Sequence, residues 1–158
     1  MTHNIPPIYD KDSRILILGS FPSVKSREGR FFYDHPQNRF WRVLAILYGR
    51  EPFESKEEKA DFLHEHHIAL WDVVESCDIT RSSDASVKNV KPNDIQKILD
   101  VGIMRIFCNG AKAYSLYYKY IYPKTQTEAV RLPSTSPANA SYSLEKLISE
   151  WKIITRGV

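Results

Sequence analysis

The chain has 158 residues, 42% of them hydrophobic and 26% charged, proportions that suit a soluble globular domain and exclude disorder as its general state. No apolar run reaches the roughly 18 residues of a membrane-spanning helix, and the stretch from Met1 to Arg14 lacks the apolar segment of a secretory signal, so one cytoplasmic domain over residues 1–158 is expected. The net charge of +3 is concentrated: between Ser20 and Ala45 five basic residues (Lys25, Arg27, Arg30, Arg39 and Arg42) stand against two acids, Glu28 and Asp34.

Arg14-Ile-Leu-Ile-Leu-Gly19 is short, partly β-branched and followed by Ser-Phe-Pro, which reads as a buried parallel strand and a turn. The polar and aromatic stretch from Phe21 to Gln37 is long for a loop, and an active-site loop is one of the few reasons for such length. Its basic residues beside Phe31, Phe32, Tyr33, Phe40 and Trp41 fit a path for a phosphate backbone, or an ordinary solvated loop. Phe40, Val43, Leu44 and Leu47 form a helical stripe that Gly49 closes. Ser55-Lys-Glu-Glu58 is a capping box for a second helix reaching about His66. His67 to Val74 is a second strand. Asp94 to Leu99 is a short helix with Asn93 as its N-cap. Gly102 to Cys108 is a third strand ending at Asn109-Gly110. Ala113, Leu116, Tyr117, Tyr120 and Ile121 mark another helix, and Glu128 to Leu132 a short fourth strand. Pro133 to Ala140 is a loop rich in Ser and Pro, and Leu144, Leu147, Ile148 and Trp151 give a final helix its buried face.

Strands alternating with helices predict an α/β fold, a three-layer sandwich whose central four-stranded parallel sheet is flanked by helices. Ligands in such folds bind at the carboxyl ends of the strands. Here those ends are Gly19-Ser-Phe-Pro22, Asp72, Asn109-Gly110 and Pro133-Ser-Thr-Ser136, so the special motifs gather along one edge. Cys77 and Cys108 lie far apart without metal-ligand spacing, and no structural zinc or iron–sulfur cluster is expected. His64, His66 and His67 suit a metal site or, equally well, a solvated helix end. The glycine-rich signatures of nucleotide-binding loops are absent, so no nucleotide cofactor is expected. The lack of Gly-x-Ser-x-Gly argues against a serine hydrolase.

Three stretches, Gly19-Ser-Phe-Pro-Ser23, His35-Pro-Gln-Asn-Arg-Phe-Trp41 and Leu132-Pro-Ser-Thr-Ser-Pro-Ala-Asn139, resemble the motifs of the uracil-DNA glycosylase superfamily in order and spacing. The similarity spans nearly the whole chain, and His-Pro-x-Asn-x-Phe-Trp between the other two makes the set specific. The mismatch-specific uracil/thymine branch carries its water-activating Asn inside the first motif, where this chain has Phe21. That departure resembles the hypoxanthine-DNA glycosylase branch, family six, in which the Asn of the second motif is the catalytic candidate. The resemblance therefore implies a monofunctional glycosylase of base excision repair. It would act without cofactor or metal, as a monomer, on DNA containing deaminated bases, with Asn38 as the catalytic residue.

Excising a base requires extruding it, stabilising the leaving group and bringing water to C1′, through a transition state of oxocarbenium character. The Asn38 amide suits orientation of that water, and it suits equally the N-cap of the helix that follows. Phe21 is placed to stack on the base, or is a core residue under the loop. Ser20, Tyr33 and His35 are further candidates for the pocket. Asp72 suits reading the N1–H of hypoxanthine, or capping a turn, and Asn109 is a second possible reader. Ser23, Lys25, Arg39, Ser134, Thr135, Ser136, Pro137 and Asn139 are the candidate DNA contacts, with Pro137, Ala138 and Asn139 pressing on the minor groove as the resemblance implies. No lysine sits where a Schiff base would form, so strand cleavage is not expected. The competing expectations are a uracil or mismatch glycosylase and a DNA-binding module that senses damage without catalysis.

Overall fold

A computed structural model describes residues 5–21, 31–78 and 88–156. Strand β1 (Ile15–Gly19) is buried along its whole length, which explains its unbroken apolar run: a central parallel strand is covered on both faces and has no polar alternation. It pairs in parallel with β2 (Ile68–Asp72) on one side and with β5 (Arg105–Asn109) on the other. Beyond β5 lies β6 (Ala129–Leu132), also parallel. The order β2-β1-β5-β6 gives the four-stranded parallel sheet expected from the sequence. Its register sets Gly19 beside Asp72 and Asn109 beside Leu132, so all four carboxyl ends finish along one rim.

Helix α1 (Phe40–Leu47) buries Phe40, Trp41, Val43, Leu44 and Ala45. It packs on α6 (Leu144–Trp151), where the Phe40 and Trp151 rings meet edge to face at 5.7 Å. Helix α2 (Lys56–Glu65) starts with the Ser55 hydroxyl accepting from the Glu58 N–H at 3.0 Å, as its capping box predicts. Two buried indoles brace the rim. Trp41 donates to the carbonyl of Phe32 at 3.0 Å, and Trp151 donates to that of Pro133 at 2.9 Å. Each couples a core aromatic to a loop that a strand end alone would not position.

Three features differ from the sequence reading. After β2 the chain forms an antiparallel hairpin, β3 (Val74–Asp78) with β4 (Lys88–Pro92), in a second, two-stranded sheet. Lys88-Asn-Val-Lys-Pro92 has no apolar alternation to announce a strand. Asn93 does not cap α3 (Gln96–Leu99), whose first turn has no side-chain cap. It is buried instead, and its Nδ2 donates to the Asp72 carbonyl at 2.8 Å. The helix after β5 has three parts: α4 (Ala111–Leu116), a π-helical turn (Tyr117–Ile121) and α5 (Tyr122–Thr125). From that π turn the Tyr118 hydroxyl donates to the Ala129 carbonyl and accepts the Ala129 N–H, at 3.2 and 2.9 Å, clasping the start of β6.

Ile17 is fully buried at the centre of β1, so Ile17→Ala is expected to lower stability by about 2–5 kcal/mol. The urea midpoint of unfolding should fall while its slope is unchanged.

Candidate active site

At the rim of the sheet a single hydroxyl joins three segments. Thr135 is fully buried. Its Oγ1 accepts from Asn109 Nδ2 at 3.0 Å and donates to Asn38 Oδ1 at 2.8 Å, while its backbone N–H donates to Asn109 Oδ1 at 3.1 Å. The Thr135 carbonyl accepts the Arg39 N–H at 3.0 Å. Strand β5, the segment entering α1 and the loop after β6 therefore meet at this one residue.

Asn38 stands one residue before the N-cap of α1, Arg39, whose own side chain makes no capping bond. Asn38 Oδ1 also accepts the Phe40 N–H at 2.9 Å, which satisfies one of the free donors at the start of α1. Two donors fill the two lone pairs of that oxygen. No described residue accepts from Asn38 Nδ2, so the amide presents its N–H face outward. An amide oxygen that accepts two hydrogen bonds polarises its own N–H groups and makes them better donors.

Asp72, at the end of β2, is 4% exposed; its Oδ2 is fully enclosed and has no hydrogen-bond partner among the described residues. It lies across the register from Gly19, whose missing side chain makes room for it. A Cβ on Gly19 would stand 2.5 Å from Asp72 Oδ1 and 3.0 Å from the Tyr33 hydroxyl. Tyr33 reaches this point from the preceding loop with a left-handed backbone (φ 53°), its ring stacked 4.1 Å from that of Phe40. Its hydroxyl is likewise enclosed, with the Asn109 side chain as its polar neighbour. Burial pushes the Asp72 carboxyl up to about 7, with no cation among the causes. Burial, reinforced by Asp72, pushes the Tyr33 hydroxyl above the usual phenol range, so it remains a neutral O–H.

The other residues singled out in the sequence have these places. Phe21 and Ser20 lie partly buried at the end of β1, Phe21 packed against the core. His35 Nδ1 accepts the Gln37 N–H at 3.0 Å. Arg39 spends its guanidinium on the carbonyls of Tyr142 and Asn139, at 2.6 and 3.1 Å, and so ties the start of α1 to the Ser/Pro loop. Within that loop Ser134 Oγ accepts the Ser136 N–H, Ser136 Oγ accepts the Ala138 N–H, and Asn139 Nδ2 donates to the Ser134 carbonyl, all at 3.0–3.1 Å. Pro137 is half-buried between them. The Thr135 hydroxyl, a candidate DNA contact in the sequence, faces inward, donating to Asn38 and accepting from Asn109. Ser23 and Lys25, with Arg27 and Arg30 of the basic stretch, lie outside the described residues.

Three contributors were not legible as such in the sequence. Thr135 joins the two asparagines, Asn93 braces the backbone of Asp72, and Gly110 (φ 97°) lets the Ser134 loop come close, where a Cβ would stand 3.0 Å from Ser134 Cβ. Glycine at strand ends was the only available signal. Elsewhere, Cys108 is a core thiol that burial pushes up to about 12, which leaves it inert as a nucleophile. His64 bonds to Asp10 at 2.8 Å. The His66 ring packs between Tyr48 and Phe62, at 4.5 and 4.6 Å. No cluster of metal-ligating side chains occurs among the described residues, and none of their helices is long and apolar enough to cross a membrane.

Comparison with known proteins points to one family. The profile of the uracil DNA glycosylase superfamily matches residues 6–154. The chain is 32% identical to a hypoxanthine DNA glycosylase of Methanosarcina acetivorans over 96% of both chains, and 31% identical to one of Methanosarcina barkeri over 92% of both. Its fold superposes with a TM-score of 0.81 on the solution NMR structure of a proposed uracil DNA glycosylase from Methanosarcina acetivorans. That protein is 31% identical, and the match covers 98% of this chain and 96% of the other.

The raised Asp72 carboxyl makes a prediction about stability. Its folded-state value lies above the unfolded 3.8, so the folded protein binds the extra proton. That contribution is fully present below about pH 4 and is lost as the pH rises through about 7. Asp72→Asn removes the titration. Its stability relative to wild type should therefore rise between pH 4 and pH 8, by a few kcal/mol in order of magnitude. Urea unfolding of both proteins across that range provides the check; parallel curves would refute a buried titrating carboxyl.

Proposed function

The chain belongs to the uracil DNA glycosylase superfamily, and on that premise we propose that it is a DNA glycosylase acting on deoxyinosine. It hydrolyses the N-glycosidic bond, releases hypoxanthine and leaves an abasic site without cutting the strand. The curated relatives named hypoxanthine DNA glycosylase align along nearly the entire chain, which supports the choice of base. Phe21 in the first motif, where the mismatch branch carries its Asn, supports the same choice.

The observation that favours this chemistry most is the fixed Asn38 amide on the rim that also carries Asp72 and Tyr33. Hydrolysis of this bond needs a water held at C1′ as the oxocarbenium character grows. An amide is too weak a base to take its proton, so the part assigned to Asn38 is placement. One N–H of Asn38 Nδ2 donates to a lone pair of the water and leaves the other lone pair for C1′. Placement of this kind contributes up to several kcal/mol of the barrier. Thr135 is a positioning residue for that amide, because it anchors Oδ1 and so determines where Nδ2 points. Arg39, Ser134, Ser136, Pro137 and Asn139 shape a braced loop that would press on the duplex beside the vacated base. The basic residues Lys25, Arg27 and Arg30, with exposed Arg42, would follow the phosphate backbone.

Duplexes carrying single inosine, uracil, xanthine or ethenoadenine sites, incubated with the protein and then cleaved with alkali, provide the direct test. Cleavage at inosine above all others is expected. Cleavage chiefly at uracil would overturn the base assignment, and tight binding with no base release at any site would favour a damage sensor. Asn38→Ala should reduce the single-turnover rate by two orders of magnitude or more while DNA affinity is kept. Full activity in that variant would refute the role given to Asn38. Thr135→Val, which removes the hydroxyl's bonds to Asn38 and Asn109, should lower the same rate about tenfold, with little change in DNA affinity.

A further inference from the structure

The positive charge of the chain sits in two segments. One is the stretch from Ser20 to Ala45. The other runs from Asn109 to Pro137, where Lys112, Lys119, Lys124 and Arg131 stand against Glu128 alone. Each has a surplus of three, equal to that of the whole chain, so the remainder is net acidic. Within the second segment Arg131 stands closest in sequence to the Ser/Pro loop. It lies in register with Cys108, one residue short of the rim, on the strand that forms a free edge of the sheet. Its side chain is exposed, and no described residue forms a hydrogen bond or an ion pair with its guanidinium. The strand beneath it is fixed. Two residues earlier the Tyr118 hydroxyl clasps Ala129, and one residue later the Leu132 carbonyl accepts the Gly110 N–H at 2.8 Å. The Tyr114 ring, 4.8 Å from that of Tyr118, brings its hydroxyl within electrostatic reach of Arg131.

We infer that Arg131 is a clamp for a DNA backbone phosphate on the β6 side of the rim, separated by β5 from the strand that the first basic segment follows. This rests on the reading of the chain as an enzyme that acts on DNA. A guanidinium keeps its charge at any working pH, and its paired N–H groups match two oxygens of one phosphate. Arg131 precedes Pro133 by two residues, about 7 Å along an extended strand, a distance that an arginine side chain spans. A duplex pressed by the Ser/Pro loop therefore passes its backbone within reach of this cation. Extruding a base costs a few kcal/mol of unstacking and unpairing. A grip on one flank alone lets the duplex pivot, whereas a grip on each flank turns the same push into extrusion. The surroundings of Arg131 suit that task. Its guanidinium is not spent on a carboxylate, and the Tyr118 clasp keeps the edge strand from yielding under load. A phosphate contact carries no sequence information, so the clamp acts on damaged and undamaged duplexes alike.

The test is the salt dependence of binding. Affinity for duplexes with and without a single inosine is measured by fluorescence anisotropy between about 50 and 200 mM salt. Arg131→Gln should reduce the slope of log affinity on log salt by about 0.9, the release of one counterion, with the same loss of affinity on both duplexes. Arg131→Lys, which keeps the charge, should keep the wild-type slope. Lys11→Gln removes an equal charge from the turn before β1, at the opposite end of the sheet, and should leave the slope unchanged. Shortening the duplex by one arm at a time locates the contact: on one of the two shortened duplexes the difference between wild type and Arg131→Gln should vanish. An unchanged slope in Arg131→Gln, an equal reduction in Lys11→Gln, or a difference that survives removal of either arm would overturn the clamp and leave the glycosylase reading intact. A wild-type protein that binds with the expected slopes but releases no base would overturn the glycosylase reading and leave the clamp standing. Failure of the wild type to bind any duplex would overturn both.

Discussion

The hydroxyl of Thr135 is the point on which the rim of this molecule depends. A parallel sheet delivers its strands to one edge, but the side chains that matter there come from segments that leave the sheet in different directions. One buried oxygen, donating to Asn38 and accepting from Asn109, turns those separate exits into a single rigid constellation. The direction of the chain matters as much as its existence. Because the bonds run from Asn109 through Thr135 to Asn38, the amide oxygen of Asn38 is consumed and its N–H face is what the site presents.

Around that point the core supplies rigidity from below. The indoles of Trp41 and Trp151 are buried with α1 and α6, yet each spends its N–H on a loop carbonyl at the rim. Arg39 adds a third tie, from the start of α1 to the loop before α6. A cationic residue in the segment richest in positive charge thus serves the architecture as a donor to backbone carbonyls. The general point is that functional loops on an α/β sheet are positioned by donors rooted in helices, because strand pairing ends where those loops begin.

A second constraint comes from an absent atom. Gly19 stands in register with Asp72, and any side chain there would occupy the space that the Asp72 carboxyl and the Tyr33 hydroxyl share. The outcome is a buried acid with no cation beside it among the described residues. The fold accepts the cost of enclosing it, seen in the carboxyl's rise to about 7. Such local conflicts between stability and burial are characteristic of binding sites.

Much of this was legible in the sequence itself. The four parallel strands, the two capped or glycine-closed helices at residues 40–49 and 55–66, and the gathering of Gly19, Asp72, Asn109 and Ser134–Ser136 at one rim all follow from local apolar periodicity and turn residues. These are short-range properties and need no knowledge of partners. What only the tertiary structure decided is who bonds to whom. It turned Thr135 inward, set the Asn38 oxygen between the Thr135 hydroxyl and the Phe40 N–H, moved Asn93 from helix cap to buttress, and built a hairpin from the polar segment Lys88–Pro92. The physical reason is separation: Thr135 meets Asn38 across 97 positions and Asn109 across 26. A hydroxyl's choice between a phosphate outside and an amide inside depends on how deeply packing buries it, and no local pattern encodes that depth.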